Sequence, residues 1–87
     1  MTLFLNRDTM ERYTVLAEGK DRLDVMNRIA TLYLQKRIQV ETFEYNRTAP
    51  EQGAYKITCY SERKDVIERI VNQISNIVEI KRAYYTM

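Results

Sequence analysis

The residues of this chain best suited to acid–base chemistry are two carboxylate pairs. Asp21 with Asp24, and Glu41 with Glu44, are separated by three positions each, and paired carboxyl groups can in principle act as general acid and general base. Both pairs lie in segments that read as solvated, which is typical of helix caps and surface charges. We therefore assign no catalytic residue to either pair.

The chain lacks histidine, the residue on which nucleophilic catalysis and metal binding most often depend. A nucleophilic Ser or Cys needs a neighbouring base, most often histidine, and the sequence contains no histidine. The single cysteine, Cys59, excludes an internal disulfide, and the missing imidazole makes a structural metal site unexpected. Cys59 lies on the apolar face of a predicted strand, where we expect it to pack in the core. No cofactor is predicted.

The composition of the chain limits the classes of partner that we expect. The 87 residues include 14 Lys and Arg against 12 Asp and Glu, a formal charge of +2, which is far from the basic stripe of a dedicated nucleic-acid binder. The apolar start, residues 1–5, is followed at once by polar residues and is too short for a signal peptide or a membrane span. We expect neither a nucleic-acid nor a membrane partner, and a cytoplasmic location.

The small size of the chain predicts a homodimer. A domain of this length buries roughly 60% of the surface that its unfolded chain exposes. Its stability is therefore marginal, and a second copy would complete a sheet edge or a helical face.

The first half of the chain predicts a strand, a helix and a second strand. Residues 12–18 alternate between apolar and polar, as in a half-buried strand. Asp21 is placed to cap a helix beginning near residue 22, and Asp24 lies beside the positive end of its macrodipole. The apolar positions of that helix repeat at offsets of one, three and four. They are Val25, Met26, Ile29, Leu32 and Tyr33.

The second strand begins at Ile38, where the pattern changes to β-favouring residues. Its alternation slips by one residue near Thr42, which predicts a bulge. Residues 48–53 contain the only proline and the second glycine, so they form a turn that joins this strand to a third, residues 54–60.

The last part of the chain predicts a helix and a fourth strand. Ser61 is a candidate cap for a helix over residues 62–75. Asn76 suits a left-handed stop. The final strand covers residues 77–85.

The order of elements predicts an α+β, ferredoxin-like βαββαβ fold, with two helices on one face of an antiparallel four-stranded sheet. Residues 1–11 are assigned to an N-terminal extension and residues 12–85 to a single domain. No repeat or low-complexity tract is identified. This topology serves many unrelated functions, so the fold alone does not assign one.

One alternative function comes from the seven tyrosines. Tyr55, Tyr60, Tyr84 and Tyr85 could stand on the sheet as stacking platforms for RNA bases. The third strand, however, keeps only fragments of the RNA-recognition signature, and tyrosine suits a half-wet subunit interface equally well.

Three short segments carry a resemblance to the ACT domain family. Residues 21–30, DRLDVMNRIA, resemble the strand-to-helix segment that in ACT domains typically runs Asp-Arg-Pro-Gly before an apolar helix. Residues 38–41, IQVE, are similar to the family's Ile-Asn-Ile-Glu. Residues 70–81, IVNQISNIVEIK, look like the closing segment of the small regulatory subunits of acetolactate synthase. The resemblance spans about residues 12–83 and implies an ACT-type fold.

The resemblance implies a non-catalytic regulatory subunit. Such a subunit would bind and activate the large subunit of acetolactate synthase in branched-chain amino-acid biosynthesis, with valine or another branched-chain amino acid as candidate effector. The alternatives are a free-standing ACT-type amino-acid-binding domain and an RNA-binding module of the same topology.

The resemblance also implies an effector site. It would lie between the turn that carries Asp21, Asp24, Val25 and Met26 and the start of the second strand, with Gln39 and Val40, near a dimer boundary. Helix amides would hold the effector's carboxylate. The family glycine is Asp24 here, and we favour the reading in which Asp21 and Asp24 satisfy those amides themselves, leaving no vacancy for an anion.

Overall fold

The computed structural model describes residues 10–87 of the chain. Its elements follow the order β1, α1, β2, β3, α2, β4. They are β1 Glu11–Lys20, α1 Leu23–Lys36, β2 Gln39–Ala49, β3 Gln52–Ser61, α2 Lys64–Ser75 and β4 Ile80–Thr86. The predicted extension over residues 1–11 lies outside the described residues except for its last two, and Glu11 is already the first residue of β1.

The four strands form one antiparallel sheet in the order β2-β3-β1-β4. Strands β3 and β1 are central, and β2 and β4 are the two edges. The predicted ferredoxin-like α+β fold is confirmed. The order of the strands is what a βαβ unit produces when a second unit is inserted between its strands.

Both helices pack on the same face of the sheet, and the core lies between these layers. The sheet side of the core comes from alternate residues of the central strands, because successive side chains point to opposite faces. These residues are Tyr13, Val15, Ala17, Tyr55, Ile57 and Cys59. The helices contribute Val25, Ile29, Tyr33, Ile67, Ile70 and Ile74. Cys59 is fully buried, so the prediction that it packs in the core is confirmed.

Three register shifts interrupt the sheet, one of them between Arg47 and Ala49 near the end of β2. The register of β2 against β3 shifts between Val40 and Thr42, which confirms the predicted bulge. A second shift, between Glu18 and Gly19 of β1, brings the chain before β4 so close that a Cβ on Gly19 would overlap the carbonyl oxygen of Glu79. Gly19 therefore lets the last strand join the sheet.

The helix ends differ from the predictions. The residue before the first turn of α1 is Arg22, in extended conformation, and no side chain makes a capping hydrogen bond there, so the prediction that Asp21 caps this helix is wrong. Asn76 is right-handed rather than left-handed. The left-handed residue is Arg37, with φ of 55°, at the end of α1. The side chain of Asp21 is drawn away by Arg47 on β2, at 3.1 Å.

The second helix also begins later than predicted, at Lys64. The Ser61 hydroxyl accepts a hydrogen bond from the Arg63 backbone N–H at 3.1 Å and donates to the Arg63 carbonyl at 2.9 Å. Ser61 thus closes a turn before the helix instead of capping it. Beyond α2 the chain turns again before β4, because the Ile80 N–H bonds to the Ile77 carbonyl at 2.9 Å. The fourth strand consequently begins at Ile80 and not at residue 77.

The two helix starts share a short sequence motif. Residues 21–29, DRLDVMNRI, and residues 62–70, ERKDVIERI, share Arg, Asp, Val, Arg and Ile at the same five of nine positions. In both, the arginine preceding the helix chelates the aspartate two residues on. Arg22 reaches Asp24 at 2.9 and 3.1 Å, and Arg63 reaches Asp65 at 3.1 and 2.8 Å. The βαβ halves are thus built alike.

Within residues 10–87, neither helix combines the length and apolar character that crossing a membrane requires.

Candidate functional site

The six residues predicted for an effector site fall at the two ends of α1. Asp21, Asp24 and Met26 lie at its start, beside the hairpin that ends β2, whereas Gln39 and Val40 follow its last turn. A helix of 14 residues is about 21 Å long. A single chain therefore does not bring the two groups together. The remaining predicted residue, Val25, has no exposed surface and packs in the core.

An alternating charge cluster occupies the start of α1. Arg22 chelates Asp24 and lies 3.6 Å from Glu79, while Arg28 bonds Glu79 at 2.6 Å and lies 3.6 Å from Asp24. The Arg22 hydrogen bond holds the pKa of Asp24 below its usual value, and the Arg28 hydrogen bond does the same for Glu79. Asp24 and Glu79 are thus paired with arginines, as Asp21 is with Arg47. The expected capping by Asp21 does not occur, whereas the Asp24 carboxylate accepts a hydrogen bond from its own backbone N–H at the start of the helix.

The side chain of Tyr55 holds the turn between β1 and α1 through hydrogen bonds to the backbone. Its ring is fully buried, and its hydroxyl lies 2.7 Å from the Lys20 carbonyl, to which it donates. The same hydroxyl accepts a long hydrogen bond from the Arg22 N–H at 3.4 Å. Tyr45 on β2 stacks on the Tyr55 ring, with centroids 5.0 Å apart and planes 22° from parallel. Sequence reasoning missed this role, although Tyr55 has the parity of the buried Ile57 and Cys59.

An apolar groove runs along the outer face of α1 beside β2. Its first part, of about 680 Å³, lies near the start of the helix, and a second part, of about 460 Å³, continues towards the end. Ala30 and Phe43 line both parts. We call the combined feature the α1–β2 groove, and its other apolar lining residues are Leu23, Met26, Tyr33, Leu34, Ile38 and Val40.

Two leucines of this groove are unusually exposed. Leu23 is 74% and Leu34 77% exposed, and both lie on one stripe of α1. Exposed apolar stripes of this kind mark contact surfaces. Val40, at 38%, extends the stripe onto the edge strand.

The edge strand β2 adds an unpaired backbone to the groove. It has 11 residues and bonds only to β3 within the described chain. A long edge presents a row of N–H and C=O groups that can pair with another strand. At its start, the side-chain oxygen of Gln39 is buried and has no hydrogen-bond partner among residues 10–87. Such a group is costly unless a partner satisfies it.

The opposite, open face of the sheet is polar and balanced in charge. Thr42, Thr58, Thr14 and Thr86 form one row across all four strands. On the same face, Arg12 pairs with Glu41 at 3.2 Å and Arg82 with Glu18 at 3.5 Å.

The RNA-binding alternative required four tyrosines on this open face. Only Tyr60 and Tyr84 lie there, opposite Arg12 and Leu16 in the register. Tyr55 is in the core, and Tyr85 faces α2, where its hydroxyl bonds Glu68 at 3.1 Å. A balanced face with two separated rings is a poor stacking platform for a polyanion.

The buried thiol offers no nucleophile. Cys59 lies 3.9 Å from the Tyr33 hydroxyl, and burial raises the pKa of both groups. A thiol whose pKa is raised by burial stays protonated and inert. Among residues 10–87, no three His, Cys, Asp or Glu side chains are grouped to hold a metal ion.

No protein-family model matches the chain, and no curated protein matches its sequence. Solved structures do match its fold. The ACT domain of GTP pyrophosphokinase from Chlorobium tepidum superposes with a TM-score of 0.77 at 9% identity, covering 88% of this chain and 99% of that domain. The C-terminal domain of the MgtC protein from Mycobacterium tuberculosis gives 0.76 at 9% identity, covering 91% and 88%.

The small subunit of acetolactate synthase from Thermotoga maritima has the same fold. It superposes with a TM-score of 0.71 at 17% identity, over 86% of this chain. This chain spans 47% of that subunit. The structural neighbours therefore include ACT domains, and at these identities the likeness establishes the fold alone.

Proposed function

We propose that this chain is a non-catalytic regulatory domain of ACT type that works as a homodimer. The observation that carries this is the α1–β2 groove lying beside an unpaired edge strand. Both surfaces are on the same side of the molecule, so one partner can cover exposed leucines and pair with backbone groups together. A second copy of the chain supplies both an apolar surface to cover the leucines and an edge strand to pair with β2.

Pairing of β2 with β2 of a second copy would complete the candidate site. A two-fold axis makes identical edges pair antiparallel, so the start of one strand lies beside the end of the other. The end of β2 lies at the α1 start, since Arg47 bonds Asp21. Gln39 of the partner subunit would then approach Asp21, Asp24 and Met26, where the guanidinium groups of Arg22 and Arg28 are the donors within reach of the unpaired oxygen of Gln39. Val40 of the partner subunit would form part of the apolar wall of the completed site.

The proposed partner beyond the dimer is the large subunit of acetolactate synthase. Support comes from the resemblance of residues 70–81 and from the fold shared with the small subunit from Thermotoga maritima. In this role the chain binds and activates the catalytic subunit of branched-chain amino-acid biosynthesis. A pull-down with the large subunit, and an acetolactate assay with and without this chain, test it. Absence of both binding and activation would remove this assignment.

The dimer is tested separately by light scattering at micromolar concentration. We expect a dimer for the unmodified chain and a monomer for Leu34→Glu, which places a charge in the groove. Gln35→Glu is the matched control, because Gln35 is the next residue on the same helix, is also exposed and lies outside the groove. Dissociation by both variants, or by neither, would contradict the groove as the contact surface.

A second candidate function is a free-standing amino-acid-binding domain. The completed site favours it, but the carboxylate of Asp24 lies where an amino-acid carboxylate would approach the helix, and like charges repel. We therefore expect isothermal titration with valine, leucine or isoleucine to detect no binding below the millimolar range. Tight binding that is lost in Gln39→Ala would instead support the effector site at the predicted residues.

A further inference from the structure

The hydroxyl of Tyr55 lies inside the bend where β1 passes into α1. It contacts three backbone groups of that bend, namely the Lys20 carbonyl at 2.7 Å, the Arg22 carbonyl at 3.2 Å and the Arg22 N–H at 3.4 Å. Tyr55 belongs to β3, more than 30 residues away along the chain. One long-range side chain thus sets the backbone path at the start of α1, where no side chain makes a capping hydrogen bond.

The ring of Tyr55 also contacts the edge strand β2. Tyr45 is the direct neighbour of Tyr55 in the β2–β3 register, and the two rings stack at 5.0 Å. Gly53 lies against both the bend and Tyr45, since a Cβ added there would meet the Asp21 Cα at 3.2 Å and the Tyr45 ring at 3.3 Å. The edge strand, the ring pair and the bend are therefore in continuous contact.

We propose that Tyr55 is a positioning residue that fixes the β1–α1 bend and, through its stack on Tyr45, couples the bend to the pairing state of β2. The proposal rests on the proposed function, because the bend would form one wall of the dimer site. If pairing of β2 orders Tyr45, the bend is ordered with it, and by reciprocity a ligand at the bend would strengthen the dimer by the same factor.

The chemistry of the phenol agrees with this role. Burial is the main cause that raises the pKa of Tyr55 above its usual value. A tyrosine hydroxyl is protonated at neutral pH even at its usual pKa, so this one can donate to a carbonyl, and the raised pKa extends that range to higher pH. Tyr45, in contrast, makes no hydrogen bond through its hydroxyl to the chain over residues 10–87, so the two tyrosines form a matched pair for substitution.

The first test is amide hydrogen exchange of Tyr55→Phe, which keeps the ring and removes only the hydroxyl. We expect residues 20–24 to exchange about tenfold faster, as loss of a hydrogen bond predicts, while α2 exchanges within about twofold of wild type. Tyr45→Phe should leave both regions unchanged. Equal acceleration throughout the molecule, or none at the bend, would overturn the positioning role. This readout needs neither a dimer nor a synthase.

The second test addresses coupling. Exchange is measured below and above the concentration at which light scattering detects the dimer. In the wild type, we expect residues 20–24 to slow by about threefold or more on dimerisation, a modest coupling. In Tyr45→Leu, the dimer should form but the slowing should vanish. Slowing that persists in Tyr45→Leu, or that never occurs in the wild type, overturns the coupling. A wild type that stays monomeric contradicts the proposed dimer and this coupling, but not the result for Tyr55→Phe.

Discussion

The two βαβ halves begin their helices with the same motif and then diverge on the outer face. At equivalent positions, Leu23 and Leu34 of α1 are replaced by Lys64 and Ser75 in α2. The paired strands differ too, because β4 packs closely on α2 whereas β2 makes little contact with α1. The second half covers its own helix, and the first half leaves a groove.

This difference distinguishes the buried residues that stabilise the fold from the exposed apolar residues that a partner could contact. Two buried positions are kept in both helices, because Ile29 and Tyr33 of α1 match Ile70 and Ile74 of α2, while buried Val25 corresponds to the half-buried Val66. Of the two helices, only α1 adds large apolar residues that the fold leaves exposed, whereas Val78 and Met87, which are also exposed, lie outside α2. Apolar surface that serves no core, next to an unpaired edge, is best explained by association.

The largest effects should come from the part that the halves share. Ile29→Ala and Ile70→Ala each empty an equivalent, fully buried site. We expect each to lower the free energy of unfolding by about 2–5 kcal/mol, since both lose burial and leave a cavity. Urea unfolding measures both. A difference of more than about 2 kcal/mol between them would break the equivalence of the two cores.

The next effect concerns the outer faces. Replacing Leu23 by Lys and Leu34 by Ser gives α1 the residues of α2, and we expect the dimer to weaken about 100-fold, roughly 2.7 kcal/mol. Because both leucines are exposed in the single chain, monomer stability should change by less than about 0.5 kcal/mol. Analytical ultracentrifugation gives the first value and urea unfolding the second. As a control, Lys64→Leu and Ser75→Leu are added to this double variant. They place the leucines on α2 instead of α1 and should not restore the dimer.

A smaller effect distinguishes Tyr33 from its counterpart Ile74. Burial raises the pKa of Tyr33 in the folded state, so its contribution is complete below pH 10 and is lost as pH rises above that value. One such proton changes stability by at most about 1.4 kcal/mol per pH unit. Thermal unfolding at pH 9 to 11 should show a shallower loss for Tyr33→Phe than for wild type. Identical slopes would mean that other groups control the alkaline limb.

The smallest effects should come from the repeated ion pairs. Arginine hydrogen bonds lower the pKa of Asp24 and Asp65 below 3.8, so their contribution is present above that pH and is lost as pH falls further. Both pairs are exposed, and such pairs contribute little. We expect Asp24→Asn and Asp65→Asn each to lower Tm by about 2 °C or less at pH 7. A large loss for Asp24→Asn alone would show that its cluster with Glu79 matters more than the repeat suggests.

Local patterns were enough to predict the elements and their order. Alternation identified the buried face of β1, and the phase slip near Thr42 located the bulge of β2, because a strand has a strict period of two. The helix ends were predicted less well. A capping aspartate is a short-range preference, and in the folded chain the distant Arg47 takes the Asp21 side chain.

The sequence by itself determined the fold class, the buried stripes and the identity of residues around the candidate site, since each depends on spacing along one element. Only the tertiary structure decided how they combine. It separated Gln39 and Val40 from Asp24 by the length of α1, because a helix carries its two ends apart. It also turned Tyr55 from a surface platform into the support of a bend, since that contact joins residues more than 30 positions apart, and no local pattern encodes such a contact.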